Sequence, residues 1–139
     1  MYKSILVPLD GSQNSTKALD IAILYSKAFN SKVSILSVAN NMSYGYEPMP
    51  ASLYESFDNR AKKIVEVGKK YASEKGVNVE TFVKRGNPKQ AIIEFAHNKG
   101  IDLIIIGKSG TNAFDRLVMG STTAAVVRNS DVHVLVVNA

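Results

Sequence analysis

Short apolar runs alternate along this chain with longer stretches in which apolar residues recur every three or four positions. The run at 5–9 stops at Asp10-Gly11-Ser12, a turn and cap cluster, and reads as a first strand. Proline cannot donate to a sheet ladder, which places Pro8 at the strand's carboxyl end. Between 15 and 30, Ala18, Leu19, Ala22, Ile23, Tyr25 and Phe29 fall at helical spacing with Lys17, Asp20 and Lys27 between them, predicting a sheet-covering helix. Val33, Ile35, Leu36 and Val38 mark a second strand over 32–39. Residues 40–50 have no periodicity and hold Tyr44, Gly45, Tyr46, Pro48 and Pro50, as a surface loop or a flap beside a ligand would.

Leu53, Phe57, Ala61, Ile64, Gly68 and Tyr71 then form one stripe on a long helix that ends near Lys75-Gly76. Val77, Val79, Thr81 and Val83 alternate as a third strand. Gly86-Asn87-Pro88 turns the chain into a helix with Pro88 in its first turn and Ala91, Ile92, Phe95 and Ala96 inward. Residues 101–106 are a β-branched run, predicting a strand buried on both faces of a parallel sheet. A glycine loop follows, then a short helix through Ala124 to Val127, a turn at Asn129-Ser130-Asp131 and a last strand over 133–137. Strand and helix thus alternate five times with the final helix missing. This predicts one α/β domain over 1–139, a five-stranded parallel sheet with right-handed crossovers and helices on both faces. The pattern does not fix the strand order.

The glycine loop carries the candidate chemistry. Gly107, Gly110, Gly120 and Ser121 spell G-x2-G-x9-G-[ST] directly after a core strand. Ser or Thr ahead of an apolar run is an N-cap signal, and free N–H groups at a helix start attract phosphate. The same residue types also serve plain turn and cap chemistry. Gly107-Lys108-Ser109 imitates the end of a P-loop, but Asp102 stands where that motif needs its first glycine, and no G-x-G-x-x-G occurs there.

Composition narrows the classes. With 139 residues and 45% hydrophobic content the chain can bury the core of one domain. The absence of cysteine excludes disulfides, thiolate metal sites and cysteine nucleophiles, and fits a cytoplasmic location. No run has the length of a membrane span and no export signal stands at the start, so no membrane association is expected. The formal charge of +5 raises the question of nucleic acid. Arg60, Lys62, Lys63, Lys69, Lys70 and Lys75 cluster, yet Glu55, Asp58, Glu66 and Glu74 interleave with them, as on a solvated helix face. Specific nucleic-acid binding is therefore not expected. His97 and His133 have no metal-ligand spacing, and His97 reads as a surface residue.

Taken together, Pro8-Leu9-Asp10-Gly11-Ser12 after the first strand, the spaced Gly107, Gly110, Gly120 and Ser121, and Val134-Leu135-Val136-Val137 at the end resemble the universal stress protein family, in its ATP-binding branch. The resemblance spans essentially the whole chain. It implies a Rossmann-like sheet of order 3-2-1-4-5, which would set the first and fourth strands side by side at a switch point where open α/β sheets take ligands. It also implies ATP, or ADP or AMP, with or without Mg2+, and a homodimer through the last strand. Adenine would meet backbone at Val38, where Ser37 departs from a histidine common in the family. Asp10 and Gly107 would lie near the ribose, Gly110 with Gly120, Ser121, Thr122 and Thr123 would hold phosphates, and Pro8 and Leu9 would also border the nucleotide. Lys108 and Arg116 are added as candidate charges. Asp10 has a competing structural role as a cap of the helix that follows.

Two rival functions remain open on the sequence: an α/β nucleotide hydrolase or nucleotidyl transferase, and a nucleotide-free module that binds a protein client. The loop offers no catalytic histidine, recognisable base or paired metal carboxylates, which argues for slow or no hydrolysis.

Overall fold

The computed structural model describes residues 2–40, 50–109 and 119–138. Its elements in chain order are β1 (Ser4–Pro8), α1 (Gln13–Phe29), β2 (Lys32–Ala39), α2 (Ala51–Glu74), β3 (Val79–Arg85), α3 (Pro88–Asn98), β4 (Leu103–Gly107), α4 (Ser121–Asn129) and β5 (His133–Val137). The strands form one parallel sheet in the order β3-β2-β1-β4-β5.

Alternation along the strands builds two cores. Ile5, Val7, Val33, Ile35, Leu103 and Ile105 face α1 and α2, where they meet Ala18, Leu19, Ala22, Val65 and Ala72. Leu6, Leu36, Ile104 and Ile106 face α3 and α4, where they meet Ile92, Phe95, Ala96 and Val126. The central strands are covered on both sides, so Ile5, Leu6, Ile35, Leu36, Ile104 and Ile105 are all 0% exposed. Each such side chain contributes about 1.5–3 kcal/mol relative to exposure.

Several boundaries differ from those the pattern predicts, each for a local reason. The fourth strand begins at Leu103, not at 101, because Asp102 accepts hydrogen bonds from the backbone N–H groups of Lys3 (3.0 Å) and Ser4 (3.2 Å). The third strand is shifted from Val77 to Val79–Arg85, and its last residue, Arg85, pairs with Asp58. Asp58 is therefore buried, not one of the solvated acids of α2, whereas Arg60, Lys62, Lys63, Lys69, Lys70 and Lys75 are all exposed. The buried stripe of α2 is turned slightly from the expected one: Val65 and Ala72 are buried with Ala61 and Gly68, while Leu53 is 39% exposed. Helix α1 starts at Gln13, two residues before its expected start.

β1 and β4 lie side by side, with Ile5 opposite Leu103 and Leu6 opposite Ile104. From this pair the chain leaves in opposite directions, β1 toward β2 and β4 toward β5. The connections therefore part at the carboxyl ends of β1 and β4, which opens a crevice there.

Candidate functional site

A cleft of about 430 Å³ occupies that crevice, a volume within the usual range for small-ligand sites. Its first wall is the β1–α1 turn. Gly11, at φ +86°, supplies a backbone conformation that L side chains rarely adopt. Asp10 Oδ1 accepts from the Ser12 N–H at 2.9 Å, and Ser12 Oγ in turn accepts from the Ser15 N–H at 3.2 Å and caps α1. The cap of the following helix is thus Ser12, and Asp10 holds Ser12 in place. Asp10 is exposed, lines the cleft, and has no partner at Oδ2 among the described residues.

The second wall comes from β2, where Leu36 and the half-buried Val38 reach the cleft. The third is built by the end of β4 and the start of α4. Lys108 ties them: its N–H donates to the Val137 carbonyl and its carbonyl accepts from the Gly120 N–H, both at 2.9 Å. Gly120 is the N-cap of α4, in place of the expected Ser or Thr, and no side chain caps the helix. The first helical bond runs from the Ala124 N–H to the Gly120 carbonyl, so the N–H groups of Ser121, Thr122 and Thr123 are without acceptors among the described residues. Thr123 is buried and its hydroxyl donates to the Gly107 carbonyl at 2.7 Å, which commits that proton to holding α4 against β4.

The structure gathers Pro8, Leu9, Asp10, Val38, Gly107, Gly120, Ser121, Thr122 and Thr123 around one cleft. Lys108 does not line it and acts there through its backbone. Gly110, Arg116 and most of the 40–50 loop lie outside the described residues. Five more residues line the cleft that the sequence reading did not count among the site residues: Ser12, read as turn and motif, Ser109, read as part of a P-loop look-alike, and Ser15, Pro88 and Ile92, read as helix positions.

It also missed Asn14, a buried residue in the first turn of α1 whose Nδ2 donates to Ser109 O at 2.8 Å and to Ser109 Oγ at 3.0 Å. That amide joins the two loops flanking the cleft. Asn14→Ala should cost about 1–2 kcal/mol of stability, read by chemical denaturation. Amide exchange should also quicken at Ser109, and unchanged exchange there would deny the coupling.

Among the described residues no cluster of His, Asp or Glu is placed to hold a metal ion, and no helix is long and apolar enough to cross a membrane. His97 is exposed with Nδ1 at 3.1 Å from Asp131 Oδ2, and His133 Nδ1 lies 2.9 Å from the Tyr2 hydroxyl.

An open parallel sheet with a carboxylate on one side of its switch-point cleft and an uncapped helix start on the other is a doubly wound α/β fold with a crevice where such sheets commonly take ligands. Within that class the chain belongs to the universal stress protein family, whose model matches residues 1–138. The universal stress protein YxiE of Bacillus subtilis is 33% identical over 147 aligned residues, covering 99% of this chain and 99% of that relative. The universal stress protein UspA from Lactobacillus plantarum superposes with a TM-score of 0.87 at 29% identity, over 98% of this chain and 97% of that one. A universal stress protein solved in complex with cAMP is 26% identical, with a TM-score of 0.74 over 98% of this chain and 97% of that one.

Proposed function

We propose that this protein binds ATP in the cleft between β1 and β4 and acts through its loaded state in stress response or signalling, with slow or no hydrolysis. The observation that carries this reading is the pairing of Asp10 with the uncapped start of α4 across one cleft. A carboxylate oxygen accepts well from ribose hydroxyls, and helix-terminal N–H groups suit phosphate. Adenine would lie against the backbone at Val38, the ribose near Asp10 and Gly107, and the phosphates over Gly120 to Thr123. A family relative bound to cAMP supports an adenine nucleotide as the ligand class. Mass spectrometry of the purified protein should find a retained adenine nucleotide, and titration with ATP should saturate at one site per chain. A featureless titration of nucleotide-free protein would reject the proposal.

The described cleft residues include no histidine and no pair of carboxylates, which favours binding over hydrolase or transferase chemistry. With Mg2+ present, turnover should stay well below about 1 per second, the lower bound of ordinary enzyme rates. The Lys and Arg cluster of α2 is exposed and interleaved with the exposed Glu55, Glu66 and Glu74, so sequence-selective nucleic-acid retention at about 0.15 M salt is not expected.

Assembly follows from the sheet edge. Among the described residues β5 pairs only with β4, so its outer edge, along Val134 to Val137, has no strand beside it. Such an edge invites a second strand, and twofold pairing closes it. The protein is expected to sediment as a homodimer at tens of micromolar; a monomer at that concentration would refute pairing through β5.

A further inference from the structure

A second cleft, of about 370 Å³, lies between α1 and α2 behind the β1–α1 turn. Asp10 and Ser12 line the first cleft, Gly11 and Thr16 the second, and Leu9 and Ser15 reach both. Its α2 wall repeats at helical spacing through Arg60, Lys63, Ile64, Val67, Gly68 and Tyr71. The floor stays open because position 68 has no side chain: a Cβ there would stand 2.7 Å from Leu9 Cδ1 and 3.0 Å from Ile35 Cδ1. Val67, a large apolar residue 60% exposed, forms part of the wall.

The hydroxyls that line this groove are already engaged. The hydroxyls of Ser15 and Thr16 donate to the Ser12 carbonyl at 2.9 and 3.2 Å. The Tyr71 hydroxyl donates to Asp20, and Lys75 joins the same pair; no carboxylate lines the groove among the described residues. Arg60 and Lys63 are the cations that line the groove. They are exposed and, like Lys62, Lys69 and Lys70 on the same helix, have no ion pair among the described residues, so their place at the rim and not their lack of a partner sets them apart. An apolar trough with two unpaired cations at its rim complements one kind of small molecule, an apolar body with a single anionic head. We propose that the α1/α2 groove is a second ligand site, for a medium-chain aliphatic carboxylate. Its tail lies along Leu9, Leu19, Ile64 and Val67, and its carboxylate meets Arg60 and Lys63.

The groove shares Leu9 and Ser15 with the first cleft, but its test needs no nucleotide. Titration of the intact chain with decanoate, below the concentration at which it forms micelles, should saturate, and decanol should bind roughly tenfold more weakly. The exposed pair change Arg60→Glu with Lys63→Glu should weaken decanoate by about tenfold or more and leave decanol unchanged. Val67→Glu should weaken both, and circular dichroism should show each variant folded as the parent. On adding decanoate, amide shifts should gather at Leu19, Ile64 and Gly68. Decanoate bound no better than decanol, unsaturable binding, parental affinity in the charge-reversed variant, or shifts confined to Gly120 through Thr123 would each overturn the proposal.

Discussion

Gly107→Ala is expected to lower the melting temperature by about 8–12 °C. A Cβ at this position would stand 2.8 Å from the carbonyl carbon of Asn14 and 2.9 Å from its Cβ and its oxygen. Those are backbone atoms of the first turn of α1 together with the Cβ rooted on them, and no rotamer change moves them. Overpacking costs about 1–3 kcal/mol, and a clash with backbone belongs at the upper end. For a domain of this size each kcal/mol is worth about 4 °C.

Gly68 is the contrasting case. A Cβ there meets the ends of the Leu9, Ile35 and Leu19 side chains, at 2.7, 3.0 and 3.7 Å, which are flexible tips and not backbone. Alanine also gains about 0.8–1 kcal/mol of helix propensity over glycine in a helix interior. The Gly68→Ala protein should therefore melt within about 4 °C of the parent. Scanning calorimetry on both variants checks the ordering. A Gly107→Ala protein as stable as the parent would mean that α1 does not rest on the end of β4.

The same glycine shows what was legible in the sequence and what was not. Its place in a spaced motif after an apolar run marked it as part of a site, and it does line the cleft. Its second role, letting α1 approach β4, depends on two segments more than ninety residues apart, and no local pattern encodes such an approach. The order of elements was legible because helical and strand periodicities leave different spacings, and β2 falls at 32–39 as the pattern predicts. The strand order came from family resemblance alone and agrees with the observed sheet.

Polar residues explain the misread boundaries. Asp102 sits beside an apolar run and reads as part of it, yet it serves the start of β1, a distant segment. Asp58 reads as a surface charge by its neighbours, and only the arrival of Arg85 at the end of β3 makes its burial tolerable. Asn14 escaped notice for the same reason: its partner Ser109 is brought to it by the sheet.

Gly120→Val should reduce ATP affinity by at least about a hundredfold, roughly 2.7 kcal/mol, without unfolding the protein. The fold should survive because Gly120 sits at φ −61° and ψ 154°, extended backbone open to any residue, so the positive-φ strain that glycine would relieve elsewhere plays no part. Losing glycine at an N-cap costs only about 1 kcal/mol. The whole effect then comes from a branched side chain in the cleft, beside the uncapped N–H groups of Ser121 and Thr122. Ser121→Ala removes one hydroxyl and leaves those N–H groups, so its loss should be about 1–2 kcal/mol, near tenfold. Asp10→Ala acts at the ribose and should weaken ATP and AMP alike, whereas Ser121→Ala should hurt ATP more than AMP. Isothermal titration of the three variants, each checked by circular dichroism, separates the contributions. A folded Gly120→Val protein that binds ATP as the parent does would place the nucleotide somewhere other than the start of α4.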